Sequence, residues 1–121
     1  MSDARQQMGL SGEERACREL VGRGYAILER RYRLRHGEID IIARDGVVLV
    51  FVEVKTRHGA EYGGGAEAIT RLKRRRMTRV AEAYLARQGL VDVPCRFDVV
   101  VVSLGGPGPA IELFQNAFDA E

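Results

Sequence analysis

A chain of 121 residues, 45% of them hydrophobic, supports one domain around a single core and excludes a second. Its formal net charge is only +2, from 19 Lys and Arg against 17 Asp and Glu, so any charged binding surface has to come from how the charges are arranged. No apolar run is long enough for a signal peptide or a membrane span, which predicts a cytoplasmic protein with no membrane partner. Cys17 and Cys95 lack metal-ligand spacing and are expected to be free, buried thiols.

Residues 1 to 8 are polar and expected to fray, as are residues 116 to 121. Ser11 can cap a helix whose first turn carries Glu13 and Glu14, acids that suit the positive end of a helix dipole. Ala16, Leu20 and Val21 give that helix an apolar stripe, and Gly22 and Gly24 end it. YAILERRYRLR follows as a strand that turns basic, with Arg31, Arg33 and Arg35 at every second position. If the strand runs that far they share a face, which suits either a phosphate backbone or a solvated edge kept from aggregating by charge.

The stretch from His36 to Arg57, HGEIDIIARDGVVLVFVEVKTR, reads as a hairpin. IDIIA and VVLVFVEV are rich in β-branched residues, and Asp45-Gly46 is a two-residue turn signal. That turn pairs Ile42 with Leu49, Asp40 with Phe51 and Glu38 with Glu53. Alternation puts Asp40, Glu53 and Lys55 on one face, with Asp40 and Glu53 diagonal and roughly 7 to 8 Å apart. The apolar run VVLVFV marks a central strand covered on both faces, so Glu53 directly after it is expected to be partly buried. A buried carboxylate needs a partner. An ion pair with Lys55 is one solution, and a divalent cation shared with Asp40 and backbone carbonyl oxygens is the other.

After Arg57 the glycine-rich HGAEYGGGAEA reads as a flexible loop beside the hairpin, with Tyr62 as a packing residue. A helix is predicted from about Glu67 to Gln88, with Ile69, Leu72, Met77, Val80, Ala81, Tyr84 and Leu85 as its buried stripe. Between Arg71 and Arg79 it carries six basic residues and no acid: Arg71, Lys73, Arg74, Arg75, Arg76 and Arg79. After Gln88 only Arg96 opposes five acids, so charge is segregated as on a polyanion-binding face. CRFDVVVVS and IELF read as two further strands, with Arg96 as the partner of Asp98.

Seven segments, GEERACREL, GYAIL, RHGEIDIIA, FVEVKTR, YGGGAEAITRLKRRR, CRFDVV and the closing AF, together resemble the YraN family of endonuclease-like bacterial proteins. The resemblance spans nearly the whole chain. It implies a restriction-endonuclease-like α/β fold, a central mixed sheet of four or five strands flanked by helices, related to archaeal Holliday-junction resolvases. It further implies a nuclease of the D-(x)n-E-x-K type that hydrolyses DNA, branched or junction DNA included, with Mg²⁺ or Mn²⁺, and hints at a homodimer. Mapped onto this chain, Asp40 and Glu53 would hold the cation with the Val54 carbonyl, Glu13 would assist from the first helix, and Lys55 would serve the attacking water. Arg57 and Lys73 would position phosphates, with Arg74, Arg75, Arg76, Arg31 and Arg33 as further nucleic-acid contacts. Arg31 is the one visible departure, standing where the family often has asparagine. The alternative reading is a module that binds nucleic acid on the same fold without cleaving it.

Overall fold

The computed structural model describes residues 11–58, 69–106 and 110–121. Residues 1 to 8, Tyr62 and the glycine-rich loop lie outside these ranges. Helix α1 spans Gly12–Gly22, and Ser11 caps it by accepting a hydrogen bond from the Glu14 N–H at 3.1 Å. Strands β1 (Ala26–Leu34), β2 (Gly37–Asp45) and β3 (Val48–His58) follow. Helix α2 (Arg71–Arg87) then leads to β4 (Cys95–Leu104) and β5 (Ile111–Phe118). Thr70 is the N-cap of α2, its hydroxyl accepting from Lys73 N–H. The helix therefore starts at Arg71 rather than near Glu67, and Ile69 is buried ahead of the cap against Val99 and Val101.

The five strands form one mixed sheet in the order β1-β2-β3-β4-β5, antiparallel except for the parallel β3–β4 pair, whose connection runs through α2. This is the α/β arrangement expected of the chain, with five strands rather than four. Apolar residues on β3 alternate between two cores. Val50 and Val52 join Ala16 and Leu20 of α1, and Leu49 and Phe51 join Met77, Val80, Ala81 and Tyr84 of α2. That is why VVLVFV is continuously apolar: each face of the strand carries its own helix. A fully buried side chain of this size stabilises by about 1.5 to 3 kcal/mol relative to exposure, so Phe51 and Met77 act as anchors that fix how α2 sits on the sheet.

Several local expectations are corrected. Two helix positions assigned to buried stripes are exposed, Val21 at 57% and Leu72 at 56%. In α1 the stripe is narrow, Ala16, Cys17 and Leu20, and Val21 is rotated past it. Cys95 is exposed at the start of β4 rather than buried; both cysteines are free. The residues at 116 to 121 do not fray: β5 runs to Phe118, and the Glu121 carboxylate is held by Arg71 at 3.3 Å and by Arg74. Asp98 is fully buried and fully partnered, accepting from Arg96 Nε at 3.0 Å, Tyr25 Oη at 3.0 Å and the Asn116 N–H at 2.9 Å.

The hairpin turn sits one residue later than read. Asp45 pairs with Val48, leaving Gly46 and Val47 as the two-residue turn, with Gly46 at φ +62°. Glycine at the first central position is a turn type that suits the twist of a hairpin. Asp45 is thereby released into β2, where it pairs with Arg96 at 2.8 Å.

Candidate active site

The corrected register moves β3 by two residues against β2, and a shift of two leaves every side chain on its original face. Ile41 pairs with Val52, so one further step sets Asp40 across from Glu53 rather than diagonal to it. The β2–β3 ladder stops there. The Val54 N–H donates instead to the Asp40 carboxylate, at 2.8 Å. Alternation also breaks at this point, because Ile39 and Ile42 both belong to the core under α2 while Ile41 and Ala43 belong to the core under α1. Asp40 occupies the break, at the place where the two strands separate.

Glu53 follows Phe51 on the face under α2 and is 8% exposed. Burial, reinforced by the adjacent Asp40 carboxylate, pushes its carboxyl from an ordinary 4.5 up to about 8, against the opposing pull of Lys73. One carboxylate oxygen, Oε2, lies 3.2 Å from Lys73 Nζ. The other, Oε1, is buried with no hydrogen-bond partner among the described residues. A buried acceptor left unsatisfied costs about 1 to 3 kcal/mol, and more for a charged group.

Lys73 reaches Glu53 by helical geometry. Met77, Val80, Ala81 and Tyr84 face the sheet, and Lys73 stands one turn before Met77 on the same side. Where the helix stripe passes from Met77 to Lys73, the strand beneath passes from Phe51 to Glu53. Lys55 is half-buried two residues beyond Glu53, paired in register with Val101. Arg57 is the penultimate residue of the same strand, half-buried, with one guanidinium nitrogen lacking a partner among the described residues.

Glu13 is held on the other flank, its carboxylate 3.1 Å from Arg31 and 3.5 Å from Arg30. The structure does not join it to Asp40 and Glu53; among the described residues no three His, Cys, Asp or Glu side chains converge as metal ligands. What the structure brings together is a pair of hard carboxylates, one with an orphaned buried oxygen. That donor set suits a divalent cation of the Mg²⁺ class, with the Val54 carbonyl as the backbone donor between Glu53 and Lys55 in the chain.

Beside this pair runs a cleft of about 830 Å³ between α2 and the β1–β2 turn. Arg33, Arg35, Lys73, Arg75, Arg76 and Arg79 line it, with Glu38 as its single acid. Arg79 and Arg35 were not among the candidate site residues, although Arg79 stands three and four residues after Arg76 and Arg75, the spacing that places side chains on one helix face. The other basic residues of the run are engaged elsewhere. Arg74 pairs with Glu121 and donates to the Ile69 carbonyl at 2.7 Å, and Arg71 pairs with Glu121.

The expected shared face of Arg31, Arg33 and Arg35 does not form. Arg31 adopts φ +52°, which breaks alternation and turns its side chain to Glu13. Arg33 pairs with Glu38, and Arg35 lies in the turn. Asparagine adopts this left-handed conformation more readily than other non-glycine residues, so arginine is held here against its backbone preference.

Comparison with known proteins places the chain. A family model described as "Uncharacterised protein family UPF0102" matches residues 12–102. A UPF0102 protein of Symbiobacterium thermophilum is 53% identical over 94% of this chain and 98% of its own length. One from Geobacter sulfurreducens is 46% identical over 93% of this chain and 88% of its own length, and one from Dehalococcoides mccartyi is 41% identical over the whole of both. The matched span runs from the first residue of α1 into β4 and includes Asp40, Glu53, Lys55 and the cleft-lining face of α2, and the chain belongs to the UPF0102 family.

Proposed function

We propose that this protein binds nucleic acid and hydrolyses phosphodiester bonds in DNA with the help of Mg²⁺ or Mn²⁺. The observation that carries the reading is Glu53: a buried carboxylate pressed against a second one, with an oxygen unpartnered among the described residues, and paired with Lys73, which lines a cleft with five further basic side chains. A protein that only binds a polyanion gains nothing from carboxylates beside it, since like charge there opposes binding.

Asp40 and Glu53 would hold the cation together with the Val54 carbonyl. When bound, such a cation supplies Lewis acidity toward a phosphate oxygen. Lys55 would orient the attacking water and stabilise the negative charge that develops on the phosphate. Arg75, Arg76 and Arg79, with Arg33 and Arg35 across the cleft, would receive backbone phosphates and set the register of the strand.

Single-turnover cleavage across single-stranded, duplex, flap and four-way-junction DNA, with Mg²⁺ and with Mn²⁺, tests the reading. Lys55→Met keeps the aliphatic stem, so affinity should change little while the rate falls about 10²- to 10³-fold, the size seen on removing one donor to a developing oxyanion. Calorimetric titration with Mn²⁺ should give a heat that Asp40→Asn abolishes. A parent protein that cleaves none of these substrates with either metal, yet binds them, would instead be a non-catalytic binding module.

A further inference from the structure

The chain contains only two lysines, Lys55 and Lys73, and every other basic side chain among its 19 Lys and Arg is arginine. Both lysines stand at Glu53, one two residues along the strand and one 3.2 Å away from the overlying helix. Arginine serves everywhere else, including the other five basic positions of the cleft, the partners of Glu13, Glu38 and Glu121, and the buried pair with Asp98. The two cations differ in a way that bears on this. Arginine grips a carboxylate with a rigid bidentate fork, whereas lysine is a single rotatable point charge on a flexible stem and is more easily displaced.

Lys73 also joins the carboxylate pair to the cleft, since it lines the cleft and forms an ion pair with Glu53. Its side chain is 39% exposed, so its ammonium has solvent and cleft within reach while Glu53 lies at 11%. Its backbone is fixed by the Thr70 cap, which leaves the stem as the moving part.

From this juxtaposition we propose that Lys73 is a positioning residue that stands in for the divalent cation on Glu53 and passes to a substrate phosphate when the cation arrives, so that cation and nucleic acid bind cooperatively. The inference rests on the function proposed above. In the free protein the ammonium is the counter-charge that the structure places on the Asp40–Glu53 pair. A cation shared by Asp40 and Glu53 repels that ammonium and takes its acceptor, freeing Lys73 for the cleft. A phosphate there receives it. Each ligand thereby favours the other, and the coupling must be the same in both directions.

Two lysines make the test direct. Protein labelled with ¹³C at lysine Cε yields two side-chain signals, assigned with Lys55→Met and Lys73→Met. Mg²⁺ alone should move the Lys73 signal toward that of a free, mobile lysine, and adding a phosphorothioate duplex oligonucleotide that resists cleavage should shift and broaden it again. In parallel, calorimetry measures Mg²⁺ affinity with and without that oligonucleotide. Lys73→Met should reduce the coupling at least about ten-fold, within the usual range of coupling between sites. Lys73→Arg should weaken Mg²⁺ binding in the absence of oligonucleotide, because the fork holds Glu53 more firmly. If Mg²⁺ binds, is lost in Asp40→Asn, and yet leaves the Lys73 signal and the Lys73→Met coupling unchanged, the exchange is refuted while the nuclease reading stands. If neither Mg²⁺ nor Mn²⁺ binds at Asp40 and Glu53, the nuclease reading fails and takes this inference with it.

Discussion

Replacing Glu53 with glutamine should stabilise the metal-free protein, and by an amount that grows with pH. Glu53 is 8% exposed, lies against Asp40 and has one oxygen without a partner among the described residues, so folding favours its protonated form. Its carboxyl is pushed from 4.5 up to about 8. An acid raised in the folded state contributes its stability in full below the unfolded value, near 4.5, and loses it progressively as pH rises through about 8. At about 1.36 kcal/mol per pH unit, the loss across that window has a ceiling of about 5 kcal/mol. Glutamine is neutral at every pH and mimics the protonated acid. It leaves Lys73 unpaired, but that side chain is 39% exposed and can return to solvent. Water entry and relaxation around the ionised acid reduce the effect further. We therefore expect Glu53→Gln to match the parent near pH 5 and to exceed it by about 2 to 3 kcal/mol at pH 9, within the ceiling above. Urea denaturation in EDTA at the two pH values measures both, and taking differences removes titrations common to the two proteins. A gap that fails to widen with pH, or one that favours the parent at pH 9, would refute the argument from burial. Saturating Mn²⁺ should then stabilise the parent, by about 2.7 kcal/mol at one hundred times the dissociation constant, and leave the glutamine variant unmoved.

Other perturbations separate binding from architecture. Arg75→Gln with Arg76→Gln should lower the slope of log affinity against log salt on duplex DNA by about 0.9 per lost phosphate contact. Arg74→Gln should leave that slope nearly intact, because Arg74 is committed to Glu121 and the Ile69 carbonyl; equal effects from all three would show that those pairs do not persist in solution. Arg31→Gly relieves a left-handed backbone that costs a non-glycine residue about 1 to 2 kcal/mol. It gives up only an exposed pair with Glu13, so a net gain of about 0.5 to 1 kcal/mol is expected in chemical denaturation. Gly12→Ala would bring its Cβ to 2.0 Å from Thr56 Oγ1, where α1 meets β3. It should cost about 1 to 3 kcal/mol, as overpacking does, and Thr56→Ala in the same chain should recover most of it. An unchanged unfolding midpoint in Gly12→Ala would mean that α1 does not dock so closely.

Much of the candidate site was legible because the side-chain period of a strand is two. With the turn one residue later than its sequence signal, the register slips by two residues, which keeps Glu53 on its expected face and changes only its partner; Asp40 sits at the break in alternation, which a period of two does not foresee. The burial of Glu53 likewise followed from the apolar run before it, and the cap of α1 from Ser11 and the two acids after it. These are local facts, set by backbone geometry over a few residues.

What local reasoning could not supply was which distant groups meet. Arg31 looked like the first member of a basic row until its left-handed conformation turned it to Glu13, eighteen residues away. Arg74 and Arg75 are adjacent in a uniformly basic run, but one is held by Glu121 and the other lines the cleft. Leu72 faces solvent and Lys73 faces Glu53, although hydrophobicity alone would exchange them. In the last two cases the outcome depends on the rotation of α2 about its own axis, and neighbouring helix positions differ by about 100°. That rotation is set by Met77, Val80 and Tyr84 packing onto Phe51 and Ile42, and it is these long-range contacts that carry Lys73 to the carboxylate.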